Sequence, residues 1–240
     1  MTTPVPFLDV CIGDEGSHND QLASYKLACE LVTKNAKIYG LPERPELLSD
    51  EQREILLEIH PSPLQFTPPA PLLVGRLEFT LDPAAGLSKT RDNFLSLCKG
   101  DKGMCKNAPN KALHYKNAPI HRVVKDFVAQ GGDITRGDGS GGESIYGGKF
   151  ADAKEGLKNK FTLGSLGMAN SGKNSNSSQF FITLTDNEAT LAKLNGKFVC
   201  FGQVRNLDGG GVDVLRRMSE VGGKDEKPTQ SVWISECGVL

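Results

Sequence analysis

No stretch of this sequence is apolar for the roughly 20 residues that a helical membrane span requires. The opening MTTPVPFLDV lacks a charged n-region and a long apolar core, so no secretory leader is expected. Basic runs are absent as well. With a net charge of −1 and a pI near 6.4, neither nucleic acid nor a membrane surface is expected as the main partner. The six cysteines (Cys11, Cys29, Cys98, Cys105, Cys200, Cys237) contain no CxxC pair. Reduced thiols in a cytoplasmic protein are the favoured reading, with nuclear entry left open, over a disulfide framework or a Cys98–Cys105 bridge across a loop. His18, His60, His114 and His121 lack metal-ligand spacing, so neither zinc nor any other cofactor is expected.

Several apparent motifs dissolve on inspection. Gly137, Gly139 and Gly142 satisfy GxGxxG, but Ser, Ile, Tyr and more glycine follow instead of a helix, so a surface loop is expected. Arg136-Gly137-Asp138 and the sequon Asn176-Ser177-Ser178 are read as coincidences in a chain without an export signal. Neither Asp133 nor Glu143 has an evident acidic partner, which leaves a paired-carboxylate hydrolase little support.

What is present is organised in two styles. Residues 72–240 are punctuated by glycine. Leu77–Leu81, Ile120–Val124, Phe180–Thr183, Val199–Val204 and Val232–Ile234 have the apolar patterning of short strands. SKTRDNFLSLCKG gathers Phe94, Leu97 and Cys98 on one helical face before Gly100, and VDVLRRMSEVGG does the same with Val214, Leu215 and Met218. Two helices are too few to sheathe a parallel sheet, so a mainly β, antiparallel closed barrel with two capping helices is expected.

Residues 15–71 differ. Leu22, Tyr25, Cys29, Val32, Ala36 and Tyr39 follow a 3–4 spacing, Ser49 and Gln52 have capping-box spacing, and PSPLQFTPPAP must be extended. This segment holds nine acids and five bases, leaving 20 acids and 23 bases elsewhere. A helical hairpin docked through its apolar stripe is favoured over a protein-partner surface.

The stretch IHRVVKDFVAQGGD, Ile120–Asp133, joins an arginine, a large aromatic and a glutamine without a nucleophile or a proton relay. Together with GDGSGGESIYGGKF and GMANSGKNSNSSQFFITL it resembles the cyclophilins, the peptidyl-prolyl isomerases bound by cyclosporin. The likeness extends to VPFLDVCIGD, GRLEFTL, KTRDNFLSLCKGDKG, LNGKFVCFGQV and ISECGVL. It spans residues 5–14 and 72–240, so that the chain reads as one domain, 1–240, with 15–71 inserted between the first two strands.

The resemblance implies an eight-stranded antiparallel barrel closed by two helices, with its groove on the outer surface. It implies cis/trans isomerisation of Xaa–Pro bonds in peptides and proteins, without cofactor or metal. Arg122, Phe127 and Gln130 match the catalytic positions. Val128, Gly139, Ala169, Asn170, Ser171, Gln179, Phe181, Leu194 and Phe198 match substrate-binding positions. His121 is read as a structural hydrogen-bonder, because this reaction needs neither acid nor base.

Four departures stand out. The loop TLTDNEATLAKLNGK is about four residues longer than usual, Lys193 stands where tryptophan is common, Phe198 where histidine is common, and Val128 where methionine is common. Reduced cyclosporin affinity is therefore expected. The competing reading is a proline-peptide binding module with little or no catalysis, for which Arg122 is not strictly required.

Overall fold

The computed structural model describes residues 3–240; Met1 and Thr2, at the start of the stretch read as leaderless, lie outside the described residues. In chain order the strands are β1 (Pro6–Ile12), β2 (Leu73–Leu81), β3 (Arg122–Val124), β4 (Val128–Gly131), β5 (Ser165–Met168), β6 (Phe180–Thr183), β7 (Cys200–Val204) and β8 (Val232–Val239). The helices are α1 (Glu15–Tyr39), α2 (Asp50–Ile59), α3 (Ser88–Lys99), α4 (Lys154–Lys158), α5 (Glu188–Leu191) and α6 (Val212–Glu220). Two compact units result: Met1–Ile12 with Leu73–Leu240, and Gly13–Leu72. No described helix is long and apolar enough to cross a membrane.

In the larger unit all eight strands form one antiparallel sheet in the order β3-β4-β6-β5-β7-β2-β1-β8, a half-barrel. The closed barrel expected from the sequence is corrected here, because no ladder joins the edge strands β3 and β8. Their approach is made by the residues preceding β3 instead. Asn117 and Ile120 donate N–H bonds to the carbonyls of Ile234 and Val232, and Ile234 donates back to Ala118. Between them, Pro119 faces Trp233 in a single bridge.

The interior is aromatic. Phe94, carried inward by the apolar face of α3, has ring centroids 5.4 to 5.9 Å from Tyr115, Phe201, Phe180 and Phe79, and all five rings are fully buried. Helix α3 ends where sequence placed its stop, at Gly100 in the left-handed region (φ 69°), donating its N–H to Ser96. The neighbouring Asn93 is also buried. Its amide donates to Ser177 O and accepts from Ile145 N, satisfying both ends of a polar group that could not otherwise be placed there. The sequon asparagine, Asn176, is completely buried, consistent with its reading as a coincidence.

The smaller unit is helical. Val32 of α1, Leu56 of α2, and Leu41 and Leu48 between them form its own cluster, with Leu64 and Phe66 of the extended tail packed alongside. Helix α1 follows the 3–4 spacing, although burial centres on Ala28 and Val32 while Ile38 and Tyr39 stay exposed. Helix α2 begins with the capping box seen in the sequence: Gln52 N donates to Ser49 Oγ, and Ser49 N to Gln52 Oε1 at 3.1 Å. Removing that cap by Ser49→Ala should cost about 1 kcal/mol. Hydrogen exchange at the first-turn amides of α2 would accelerate; unchanged protection there would contradict it.

Candidate active site

Strand alternation builds the site on the outer surface of the sheet. Along β4, Ala129 points into the core, whereas Val128 and Gln130 face outward; along β6, Phe180 and Ile182 point inward and Phe181 outward. The register aligns Arg122 of β3 with Gln130 of β4, and Gln130 with Phe181 of β6. Opposite Phe181 on β5 stands Gly167, where an added Cβ would lie 2.5 Å from the Phe181 ring. A residue without a side chain is needed for the ring to lie across that strand.

Phe181 then anchors an apolar cluster separate from the main core. It stacks on Phe161 at 5.4 Å and meets Phe198 edge-on at 5.4 Å, with Val128, Ala169, Leu191 and Leu194 around it. The long loop after β6 contributes Leu191 from α5, followed by Leu194 and Phe198. Arg122, Phe127, Val128, Gln130, Ala169, Asn170, Phe181, Leu194 and Phe198 all line one depression of about 480 Å³, with Lys193 and Lys197 at its rim. Gly139, Ser171 and Gln179 line a second of about 220 Å³, which shares Gln130, Ala169 and Asn170 with the first. Every candidate residue named from the sequence therefore borders one continuous groove.

A chain of hydrogen bonds runs along its polar side. Arg122 Nη1 donates to Gln130 Oε1 at 3.3 Å, Gln130 Nε2 to Gln179 Oε1 at 3.0 Å, and Gln179 Nε2 to the carbonyls of Gly139 and Gly141 at 2.9 and 2.7 Å. The two glycines are held in turn by the carboxylate of Asp133, which accepts their N–H groups at 2.9 and 3.0 Å. It also accepts from Arg136 N at 3.0 Å and Thr135 Oγ1 at 3.0 Å. Burial on its own would raise the Asp133 pKa. The donors from Arg136, Gly141, Thr135 and Gly139 outweigh it and bring the value to about 2. Asp133 is thus a fixed structural anion. Glu143, also buried, does the same for the N–H groups of Lys106 and Asn107 at 2.7 and 2.8 Å.

On Asn170, the amide donates to Asn176 Oδ1 at 3.0 Å and its oxygen accepts from Gly172 N. Ser171 Oγ accepts from Lys149 at 3.3 Å.

Two features were not anticipated. Arg122 is ion-paired: its Nε donates to Glu226 Oε2 at 2.7 Å. Glu226 reaches it from a loop 104 residues away, held with φ 64° and braced by Val123 N donating to its carbonyl. The pair depresses the Glu226 pKa. Among the described residues no hydrogen bond engages Arg122 Nη2.

The second is His121. Its expected role as a hydrogen-bonder is not met, since both ring nitrogens are buried without a partner. The ring packs so closely on Gly139 that an added Cβ there would lie 2.6 Å from Nε2, and burial lowers its pKa. A neutral ring serving as packing fits these facts.

The arrangement can hold a compact apolar ring beside a guanidinium whose remaining N–H groups are unspent. Among the described residues, neither depression is lined by a histidine, a cysteine or a carboxylate. A family model described as cyclophilin type peptidyl-prolyl cis-trans isomerase/CLD matches residues 72–239, the part of the chain that carries this groove. The chain belongs to the cyclophilin-type peptidyl-prolyl cis-trans isomerase family.

Proposed function

We propose that this protein catalyses cis/trans isomerisation of Xaa–Pro bonds in peptides and proteins, in the cytoplasm and without a cofactor. The observation that carries the reading is the opening of Arg122 onto the same depression as Phe127, Val128, Phe181, Leu194 and Phe198. The apolar walls hold the proline ring. Gln130, Gly139, Ala169, Asn170, Ser171 and Gln179 hold the neighbouring backbone.

Rotation about a peptide bond meets a barrier of roughly 18–20 kcal/mol, because resonance keeps the amide planar. At Xaa–Pro the isomers are close in energy yet exchange over tens to hundreds of seconds. Acceleration requires only that the twisted amide be bound better than either planar form. On twisting, the amide nitrogen recovers a lone pair and becomes an acceptor. Arg122 is permanently charged and can only donate. With Nε held by Glu226 and Nη1 by Gln130, the guanidinium is oriented before substrate arrives, which is the condition for an electrostatic contribution without reorganisation. A thousandfold acceleration needs about 4 kcal/mol. One charge-assisted hydrogen bond with pocket binding is of that size.

The test is relaxation of a short Xaa–Pro peptide after a solvent jump: catalytic amounts of protein should shorten it, and an unaltered time course would reject the reading. Cyclosporin should bind more weakly than the nanomolar range. Lys193 offers neither a flat apolar face nor an indole donor at the rim. A nanomolar inhibition constant would contradict this.

A further inference from the structure

The reading of the groove as a proline site leaves open which proline segments it takes, and the charges at its rim bear on that. Lys193 and Lys197 line the apolar depression. Lys197 also lines an adjoining depression with Lys173, the two sharing Asn170 and Phe198. All three lysines are exposed, and none takes part in an ion pair among the described residues.

Two acids near these depressions already accept hydrogen bonds. Asp152, which lines the second depression, accepts from Asn174 N and Asn176 Nδ2, both at 2.8 Å. Glu226 is bound to Arg122. The groove is therefore electrically lopsided. Arg122 is paired with a carboxylate 2.7 Å away, whereas the side bearing Lys193, Lys197 and Lys173 holds three ammonium groups against the single carboxylate of Asp152.

We propose that the groove selects prolines flanked by an anionic side chain, a carboxylate or a phosphoserine, and that Lys193 is a specificity-determining residue. The proline ring seats between Phe181, Leu194 and Phe198, so residues beside it in the peptide pass the lysine rim. An anion there meets two ammonium groups without displacing an existing ion pair. A single exposed pair contributes at most about a fivefold preference. Two lysines sharing one carboxylate place the expected preference at about three- to tenfold, and the nearly doubled charge of a phosphate raises it further. The preference is a surface effect, so it must fade as salt shortens the screening length from about 10 Å at 0.1 M to about 3 Å at 1 M.

The experiment uses the full chain and three proline peptides identical except for glutamate, glutamine or phosphoserine beside the proline. For each, kcat/KM is read from NMR exchange and Kd from titration, at low and high salt, with the native protein, Lys193→Gln and Lys193→Glu. The expected order at low salt is phosphoserine over glutamate over glutamine. The preference should shrink in Lys193→Gln, disappear or reverse in Lys193→Glu, and approach one at 1 M salt. Preference for phosphoserine with glutamate no better than glutamine would narrow the class to phosphate while keeping the lysine rim. Equal values for all three peptides, or a preference indifferent to charge reversal at Lys193, would overturn the proposal. If no peptide is turned over, the isomerase reading fails by itself, and the ratios of Kd still decide the anionic preference.

Discussion

Replacing Arg122 with alanine should lower kcat/KM for an Xaa–Pro peptide by about a hundred- to a thousandfold, the usual consequence of removing one preorganised donor from a transition-state site. The loss should fall mainly on kcat. The walls that hold the proline ring do not depend on the arginine: Phe181 is positioned by Phe161, Phe198 and the space over Gly167. Peptide affinity should therefore change only a few-fold, and folding little, since Arg122 lies at the surface in a partly exposed ion pair. Lysine at this position keeps the charge but loses the fork that lets one side chain serve Glu226 and Gln130 while facing substrate. It should recover only part of the activity. A variant whose binding and turnover fell together would instead mark Arg122 as a binding residue.

Asp133→Ala should destabilise the protein by about 3–5 kcal/mol, because it leaves backbone donors of Arg136, Gly139 and Gly141 buried without their acceptor. For a chain of this length that corresponds to a fall in Tm of about 10 °C. The same substitution should weaken turnover, since the carbonyls of Gly139 and Gly141 hold Gln179, and Gln179 holds Gln130. Its pH signature is specific. The Asp133 pKa is depressed from 3.8 to about 2, so its contribution is fully present above the unfolded-state value and is lost as pH falls through the folded-state value. The window runs from about pH 4 to about pH 2, and the contribution amounts to roughly 2 kcal/mol. Denaturant unfolding across that range should show a shallower acid limb in the variant. Superimposable limbs would mean that the carboxylate is not the anchor of this loop.

Much of the fold was legible in residue patterning, and the omissions have physical causes. The strands β2, β6, β7 and β8 and the helices α3 and α6 carry apolar runs or faces long enough to read. VAQG and SLGM, which become β4 and β5, are four residues each and contain glycine. Strand β5 is buried on both faces, with Phe181 lying over Gly167, so no polar alternation marks it. Barrel closure failed as an expectation because the two edges meet only through the isolated bridge between Pro119 and Trp233, a contact too short to leave a patterned run in the sequence. Helix α2 was readable to the residue at its start, since Ser49 and Gln52 act on each other within one turn.

The candidate site divides in the same way. Arg122, Phe127, Val128 and Gln130 are neighbours in sequence, and the motif containing Ala169, Asn170, Ser171, Gln179 and Phe181 is compact. Resemblance could therefore name them, and the register of β3, β4 and β6 explains why they meet. Glu226 escaped notice because nothing local distinguishes KDEK from other surface charge; only the loop brought to Val123 makes it a partner of Arg122. His121 escaped for the opposite reason. Its residue type suggests hydrogen bonding, while the close approach of Gly139 leaves room only for packing.

The most direct measurement is two-dimensional NMR exchange between the cis and trans forms of a short Xaa–Pro peptide, recorded with and without substoichiometric protein. The account predicts cross-peaks between the isomers at mixing times of a second or less, far below the tens to hundreds of seconds of the free peptide, and their loss with Arg122→Ala. Peptide resonances that shift on binding while the cross-peaks stay absent would contradict it, and would make the groove a recognition surface for proline.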